Sequence, residues 1–259
     1  MDRLNKTGLG AKVRDIICNT NACADDVTIN TYSDQDAQIL IDIAADFTNL
    51  ERYELQPSKT NSVRIKPSHR LSISGEMQTL LLNDSEIPEV EQATHIGLKI
   101  ANTISNAAKA NVENNINKAR RAPYSLMSTG LHGNNGLDPE TLLQLIKTCI
   151  TPILLYGLEL ILPNKTLITK LERFQKKKLL KQVLSLPQNT PDCAVYLLTG
   201  FLPIELQLHK KALVFFNICS QNEESIEKQL ARRQLAVKSN NSNSWFVVIK
   251  KTPPKVQPE

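Results

Sequence analysis

Residues 21–32 read NACADDVTINTY, and the first third of the chain takes its character from how that stretch is parsed. Val27 and Ile29 alternate with Thr28 and Asn30, the period-two pattern of a half-buried strand. Two adjacent carboxylates, Asp25 and Asp26, precede that run where a turn is needed. Aspartate suits turns because its side chain bonds its own backbone and tolerates unusual backbone angles. Paired acids on a tight turn also suit hard divalent cations, which take oxygen ligands. These twelve residues support both readings, so the flanking segments have to separate them.

Just downstream, Ser33-Asp34-Gln35-Asp36 has the form of a capping box, with the shorter acid in the third helical position. It opens a helix whose Ala37, Leu40, Ile41, Ala44 and Phe47 share one face. After Pro57, the runs Val63-Arg64-Ile65 and Leu71-Ser72-Ile73 alternate like short strands, punctuated by Pro67 and Gly75. A further short strand fits His95-Ile96-Gly97-Leu98. From Asn102 the period becomes helical, with Ile104, Ala108, Val112, Ile116 and Ala119 in register.

Gly130, Gly133 and Gly136 then mark a loop, and Asp138-Pro139-Glu140 supplies an N-cap, a first-turn proline and an acid. The helix that follows is apolar nearly all round (Leu142 to Leu154), which predicts a central, buried position. Further helices are expected over about 166–184, 192–198 and 203–220. Ser239 to Asn243 reads as flexible, and Trp245 to Ile249 as a strand or a docking segment. The expected fold class is α+β, divided into residues 1–100, 101–187, 188–238 and a tail, 239–259.

Composition narrows the function classes. The chain has 259 residues, a net charge of +5 and a pI near 8.9, a mild basic bias compatible with an anionic partner. Aromatics make up only 5%, so the core should be aliphatic. Five cysteines at irregular spacing form no C-x-x-C pair, which argues against a disulfide framework or a structural zinc site and for reduced, mostly buried thiols. The N-terminus lacks a signal-peptide core, and the longest apolar run is broken by Pro152. The expectation is a soluble intracellular protein, not secreted; a nuclear or cytoplasmic location is what the family resemblance described below implies. His69, His95, His132 and His209 are scattered without a nucleophile motif, and no strand leads into the glycine loop as a dinucleotide site requires.

The order of segments resembles the second half of the palm domain of reverse transcriptases from non-LTR, LINE-like retrotransposons. Cys23-Ala24-Asp25-Asp26 looks like that family's aromatic-Ala-Asp-Asp box with cysteine in the first place. Tyr53 to Thr60 is similar to the next motif, which supplies a lysine, here Lys59, near the incoming nucleotide. Thr94 to Leu98 resembles the strand that supports the primer terminus, here His95, Ile96, Gly97 and Leu98. Lys118 to Arg121, Gly130 to Gly133, Pro152 to Glu159 and Gly200 to Glu205 look like the helical region after the palm, so the likeness runs from about Gly8 to Lys251.

The resemblance implies a partial polymerase palm followed by a helical thumb and connector. Asp25 and Asp26 would be metal ligands for Mg²⁺, acting with dNTP, an RNA template and a DNA primer. It also implies an upstream palm aspartate and fingers. Asp2 and Asp15 lack the context for that aspartate, and Lys12 to Ile17 reads as the preceding strand, so a fragment without polymerase activity of its own is expected. Two other classes stay open. One is a non-catalytic module that contacts a nucleic-acid duplex through Lys118, Arg120, Arg121, Lys176, Lys177, Lys178 and Lys181. The other is a scaffold that binds a protein through Leu171, Phe174 and the run Ala212 to Ile218.

Overall fold

The computed structural model describes residues 2–66, 78–127, 137–242 and 244–251. It divides into two compact units, Met1–Ala107 with Asn222–Arg233, and Ala108–Gln221 with Gln234–Glu259. The run Leu71 to Ile73, with Pro67, His69 and Gly75, lies outside the described residues, as does the loop of Gly130, His132, Gly133 and Gly136.

The first unit begins with a helical turn, α1 (Asp2–Lys6), and its part before residue 104 is otherwise built mainly from antiparallel hairpins and one long helix. The hairpins are β1 (Lys12–Val13) with β2 (Ile16–Ile17), β3 (Thr20–Cys23) with β4 (Asp26–Ile29), β5 (Leu81–Leu82) with β6 (Ser85–Glu86), and β7 (Gln92–His95) with β8 (Leu98–Ala101). Among the described residues, none of these pairs joins another in a wider sheet. All four reverse through two residues, and the turns carry left-handed backbone at Arg14, Ala24, Asn83, Asp84, Ile96 and Gly97. Positive φ at both central positions of Asn83-Asp84 and Ile96-Gly97 is the combination that matches the twist of a two-residue hairpin.

The run Lys12 to Ile17, expected as one strand, instead folds back on itself at Arg14-Asp15. The reason lies just before it. Gly10 takes φ +84°, and a Cβ there would fall 2.7 Å from Asn19 Cβ and 2.8 Å from the Asn30 carbonyl. That close approach lets Ala11 N–H donate to Asn30 O (2.7 Å) and Cys18 N–H to Ala11 O (2.9 Å). Buried Asn19 donates its amide to the carbonyls of Leu4 (3.2 Å) and Leu9 (3.0 Å).

Between β4 and β5, α2 (Asp34–Leu50) starts as the capping box predicts, with Ser33 Oγ accepting from Asp36 N–H at 3.1 Å. Ala37 and Leu40 are buried and Ile41 and Ala44 half-buried, but Phe47 is exposed beneath the Arg3 guanidinium, 5.5 Å from its ring centre. Val63 to Ile65 is not a strand. Only Ser62 bridges Glu89, in parallel, and Arg64 secures the segment by donating to Asp34 Oδ2 (3.1 Å) and to the Glu89 carboxylate (3.4 Å). Burial raises the Asp34 pKa, but the hydrogen bonds from Arg64 and Gln78 N–H, with the guanidinium charge, outweigh it and hold the carboxyl below its ordinary value.

The division between units falls within α3 (Ile104–Met127). The second unit continues through α4 (Pro139–Leu145), a π turn (Ile146–Ile150), α5 (Thr151–Leu154), α6 (Lys165–Phe174), a second π turn (Gln175–Leu180) and α7 (Lys181–Val183). Then come α8 (Asp192–Thr199), α9 (Ile204–Gln221), α10 (Ile226–Val237), which is shared with the first unit up to Arg233, and α11 (Trp245–Lys251). The N-cap read from sequence is present, Asp138 Oδ1 accepting from Thr141 N–H at 3.0 Å, and Asn164, not expected as a cap, accepts likewise from Leu167 N–H at 3.0 Å. One core cluster runs from Val112 through Ile146, Leu154, Leu171 and Leu180 to Leu208, so the segments expected as thumb and connector share a single interior.

Pro152 explains the first π turn. It has no N–H, so the α pattern cannot continue through it. Thr151 donates from both its N–H and its Oγ1 (3.0 Å) to Ile146 O, five residues back. The chain then reverses through buried Gly157 at φ +68°, and its inward carbonyls find side-chain donors. Asn115, 1% exposed, donates to Leu154 O (3.3 Å) and Tyr156 O (2.9 Å). Lys211 donates to Leu155 O (3.3 Å), and Trp245 Nε1 to Glu159 O (2.7 Å).

That last bond bears on the C-terminal segment. Trp245 to Ile249, expected as a strand or a docking segment, is helical. Trp245 packs edge-on against Phe215 of α9 (centroids 5.8 Å apart), and Val247 and Ile249 are buried, so packing overrides the β-preference of the Val-Val-Ile run. Among the described residues, no helix is long and apolar enough to cross a membrane.

Three substitutions test these constraints. Gly10→Ala should cost about 2 kcal/mol or more, because the left-handed backbone strain adds to the steric overlap. Gly8→Ala, also at positive φ but with only the flexible Lys12 Nζ near the new Cβ, should cost about 1 kcal/mol. Asn115→Leu should cost about 2–4 kcal/mol by removing the buried amide that donates to the Leu154 and Tyr156 carbonyls. Urea-denaturation midpoints measure all three.

Candidate functional site

The acidic pair sits at the tip of the β3/β4 hairpin. Cys23 pairs with Asp26 across the strands, which leaves Ala24 and Asp25 as the turn. Ala24 adopts φ +54°, a left-handed conformation that few residues other than glycine take easily. Cys23, Asp25 and Asp26 are all exposed. Cys23 is therefore not one of the buried thiols expected: among the described residues nothing covers it at the end of the hairpin. More broadly, all five thiols are free, and Cys23, Cys149 and Cys193 are exposed rather than buried. Burial raises the pKa of Cys18, which keeps that thiol protonated.

Farther along β4, Thr28 Oγ1 lies 3.1 Å from His95 Nε2, the last residue of β7. The segment His95 to Leu98 is thus a hairpin end docked on the acidic hairpin, its reversal made by Ile96 (φ +49°) and Gly97 (φ +74°). A β-branched residue at positive φ is a genuine outlier, held here by the hairpin on either side.

Lys59 closes a short 3-10 turn, Pro57–Lys59, and is exposed. Among the described residues, no ion pair joins it to Asp25 or Asp26. Nor does any group of three or more His, Cys, Asp or Glu among the described residues form a metal cage. The hairpin supplies two adjacent carboxylates open to solvent. That donor set is compatible with a weak Mg²⁺ contact, but it is not a complete site, since Mg²⁺ needs near-ideal octahedral oxygen geometry.

The seven basic side chains expected to face a nucleic acid divide by burial. Lys118, Arg120 and Arg121 are exposed on α3, and Lys177 and Lys178 are exposed on the second π turn. Lys176 is turned to its own unit: its ammonium pairs with Asp192 Oδ2 at 2.6 Å and lies 5.8 Å from the Tyr196 ring centre. Lys181 is only 3% exposed and donates to the carbonyls of Gln188 (3.1 Å) and Thr190 (2.6 Å), with Asp192 Oδ1 at 3.7 Å. It holds the loop between α7 and α8 and is not available to a phosphate. The π turn is the cause, because its extra residue places Lys181 on the buried side. The hydrogen bond from Lys176, then the charges of both lysines, keep the Asp192 carboxyl below its ordinary range.

The apolar surface expected for a protein partner also divides. Leu171, Phe174 and Ala212 belong to the interior, whereas Val214 (52%) and Ile218 (58%) are exposed on α9.

Sequence reasoning missed Glu172. Its two carboxylate oxygens accept from the Tyr196 hydroxyl and from Ile204 N–H, the first residue of α9, so one side chain ties α6 to α8 and α9. Burial, then the hydrogen bond and charge of Glu172, push the Tyr196 phenol well above its usual pKa. The partners lie 24 and 32 residues away, and no spacing rule reaches that far.

No family model, no curated protein and no solved structure matches the chain.

The division of the lysines predicts different mutational costs. Lys181→Met should cost about 2–3 kcal/mol, because the carbonyls of Gln188 and Thr190 lose their donor. Lys177→Ala and Lys178→Ala should fall within about 0.5 kcal/mol of the parent. Thermal melting with calorimetry separates the two groups; equal effects would contradict the burial of Lys181.

Proposed function

We propose that the chain is a portion of a non-LTR reverse transcriptase, carrying the acidic hairpin of the palm and the helical region that follows. The parent reaction is RNA-templated DNA synthesis from deoxynucleoside triphosphates. The observation that carries this reading is the pairing of two hairpins. Asp25 and Asp26 stand at the tip of one, and Thr28 on its flank bonds His95 at the turn of the other. The resemblance asks for those pieces in that order, with a lysine-bearing turn, here Pro57–Lys59, between them.

The residues present account for part of the chemistry. Two neighbouring carboxylates repel each other, so the ionised pair holds a divalent cation poorly without a further acid and substrate phosphates. Nucleotidyl transfer is therefore not assigned to these residues alone. Bound Mg²⁺ would supply charge stabilisation at the reacting phosphate in the parent enzyme. The contribution of this chain is to hold Asp25 and Asp26 on a short, stiff turn.

A second reading rests on a different observation: Lys118, Arg120, Lys177 and Lys178 all present charge to solvent. Long cationic side chains in that setting suit sequence-independent contact with a phosphate backbone. Duplex binding without catalysis is the activity this reading assigns.

Purified chain should give no Mg²⁺-dependent primer extension; extension abolished by Asp25→Asn would overturn its inactivity. A labelled RNA–DNA duplex, followed by fluorescence anisotropy, should bind with a salt slope no steeper than about −4 in log K against log salt, set by those four cations. Lys177→Ala with Lys178→Ala should flatten that slope by roughly 2. Negligible affinity with no salt response would end the duplex reading.

A further inference from the structure

On the second unit, an open depression of about 360 Å³ is bounded by α5, the turn after α8 and one face of α9. Its floor is apolar, made by Pro152, Leu155, Phe201 and Leu202, with Lys147 and Lys210 at the mouth. Binding sites for small organic ligands begin near this size and share this make-up, a mostly apolar hollow with a few charged groups that fix orientation.

The charges at the mouth are unbalanced. Lys211 also lines the depression, but Glu159 Oε2 at 3.5 Å and the Leu155 carbonyl at 3.3 Å occupy its ammonium. Lys147 and Lys210 have no carboxylate partner among the described residues, and no acid lines the depression. Lys147 rests over the face of Phe201, its ammonium 5.2 Å from the ring centre. At an exposed site such a contact is weak, and a charge-assisted hydrogen bond to an oxyanion is stronger. An anion can therefore draw Lys147 off the ring and open the apolar floor.

Two backbone features build this arrangement. The π turn that precedes Pro152 carries Lys147, and π turns concentrate at functional sites. Gly200, at φ +63°, ends α8 by donating its N–H to Tyr196 O (2.9 Å), and so turns Phe201 into the floor.

We propose that this depression binds a small amphipathic organic anion. The apolar body, no larger than about two fused rings for a hollow of this size, lies against Phe201, Leu155 and Pro152. Its carboxylate, sulfonate or phosphate lies between Lys147 and Lys210. A bare oxyanion leaves the apolar floor unused, and a neutral apolar molecule leaves both ammoniums unpaired. The assignment is independent of the polymerase reading, since it draws on none of the residues of the acidic hairpin.

The test uses the full chain and two dyes, anionic 1-anilinonaphthalene-8-sulfonate and neutral N-phenyl-1-naphthylamine, each titrated by fluorescence. The anionic dye should bind saturably at one site, at least tenfold tighter than the neutral one. Lys147→Ala with Lys210→Ala should weaken it at least tenfold while leaving the melting temperature unchanged. Should that pair lower the melting temperature, exposed Lys210→Ala alone carries the comparison, with a threefold or greater loss expected. Leu202→Ser should weaken both dyes. Equal binding of the two dyes, or an unchanged affinity of the anionic dye in the lysine variants, would overturn the proposal. Displacement by inorganic phosphate as effective as by unlabelled naphthalene-1-sulfonate would also overturn it, because the apolar floor would then contribute nothing.

Discussion

A buried turn whose carbonyls point inward must find donors, and in the second unit this requirement organises most of what surrounds it. Pro152 withdraws one N–H from the helix, the chain reverses through Gly157, and the carbonyls of Leu154, Leu155, Tyr156 and Glu159 accept from side chains, Leu155 O from the Leu158 N–H as well. Asn115 of α3, Lys211 of α9 and Trp245 of α11 each supply a donor. A buried carbonyl without a partner costs as much as a sizeable fraction of a small domain's whole stability, so three helices are fixed to one turn by hydrogen bonding as well as by apolar contact. The same proline imposes the π turn that brings Lys147 to the edge of the depression. A single absent donor therefore shapes both the core and the most ligand-like surface of the unit.

The first unit is held by a different device. Among the described residues, its hairpins do not merge into a sheet, and a lone two-stranded hairpin is marginal in water. Side chains take the place of the missing strand pairings. Gln38 of α2 bonds both the N–H (2.8 Å) and the carbonyl (2.9 Å) of Leu81, as a neighbouring strand would. Arg64 joins Asp34 to Glu89, and Thr28 joins His95. Asp25 and Asp26 accordingly stand on a turn that is stiff in itself but lightly buttressed, an arrangement in which the geometry at the acids depends on what packs against the hairpin.

Charge at the surface follows from helix geometry more than from composition. Lys176, Lys177, Lys178 and Lys181 look alike as a basic cluster, yet the π turn sends them to different fates. Two face solvent, one pairs with Asp192, and one is buried against backbone carbonyls. An α-helix advances 100° per residue and a π turn less, so one added residue rotates everything after it. Cys23 shows the converse: a thiol expected to be buried is exposed at the end of its hairpin.

By itself the sequence determined the local elements and their order. The capping box at Ser33, the N-cap at Asp138, the presence of a strand around Val27 and the helical register from Ile104 to Ala119 are all decided by neighbours a few residues apart; which face of that strand is covered is not, and Val27 is exposed. Local propensity and periodicity therefore sufficed. The acidic turn was legible for the same reason, whereas His95 to Leu98, expected as a short strand, is instead the reversal of a hairpin, with Ile96 and Gly97 at positive φ. Tertiary structure alone decided that Trp245 to Ile249 is a helix, that Lys181 is a structural residue, that Glu172 clasps α8 and α9, and that Lys147 and Lys210 share one hollow. Each of these depends on a partner beyond the reach of helical or strand spacing, from 7 and 9 residues away for Lys181 to 24 and 32 for Glu172, and the energy of burying a group against that partner exceeds the few tenths of a kcal/mol by which local preference distinguishes one conformation from another.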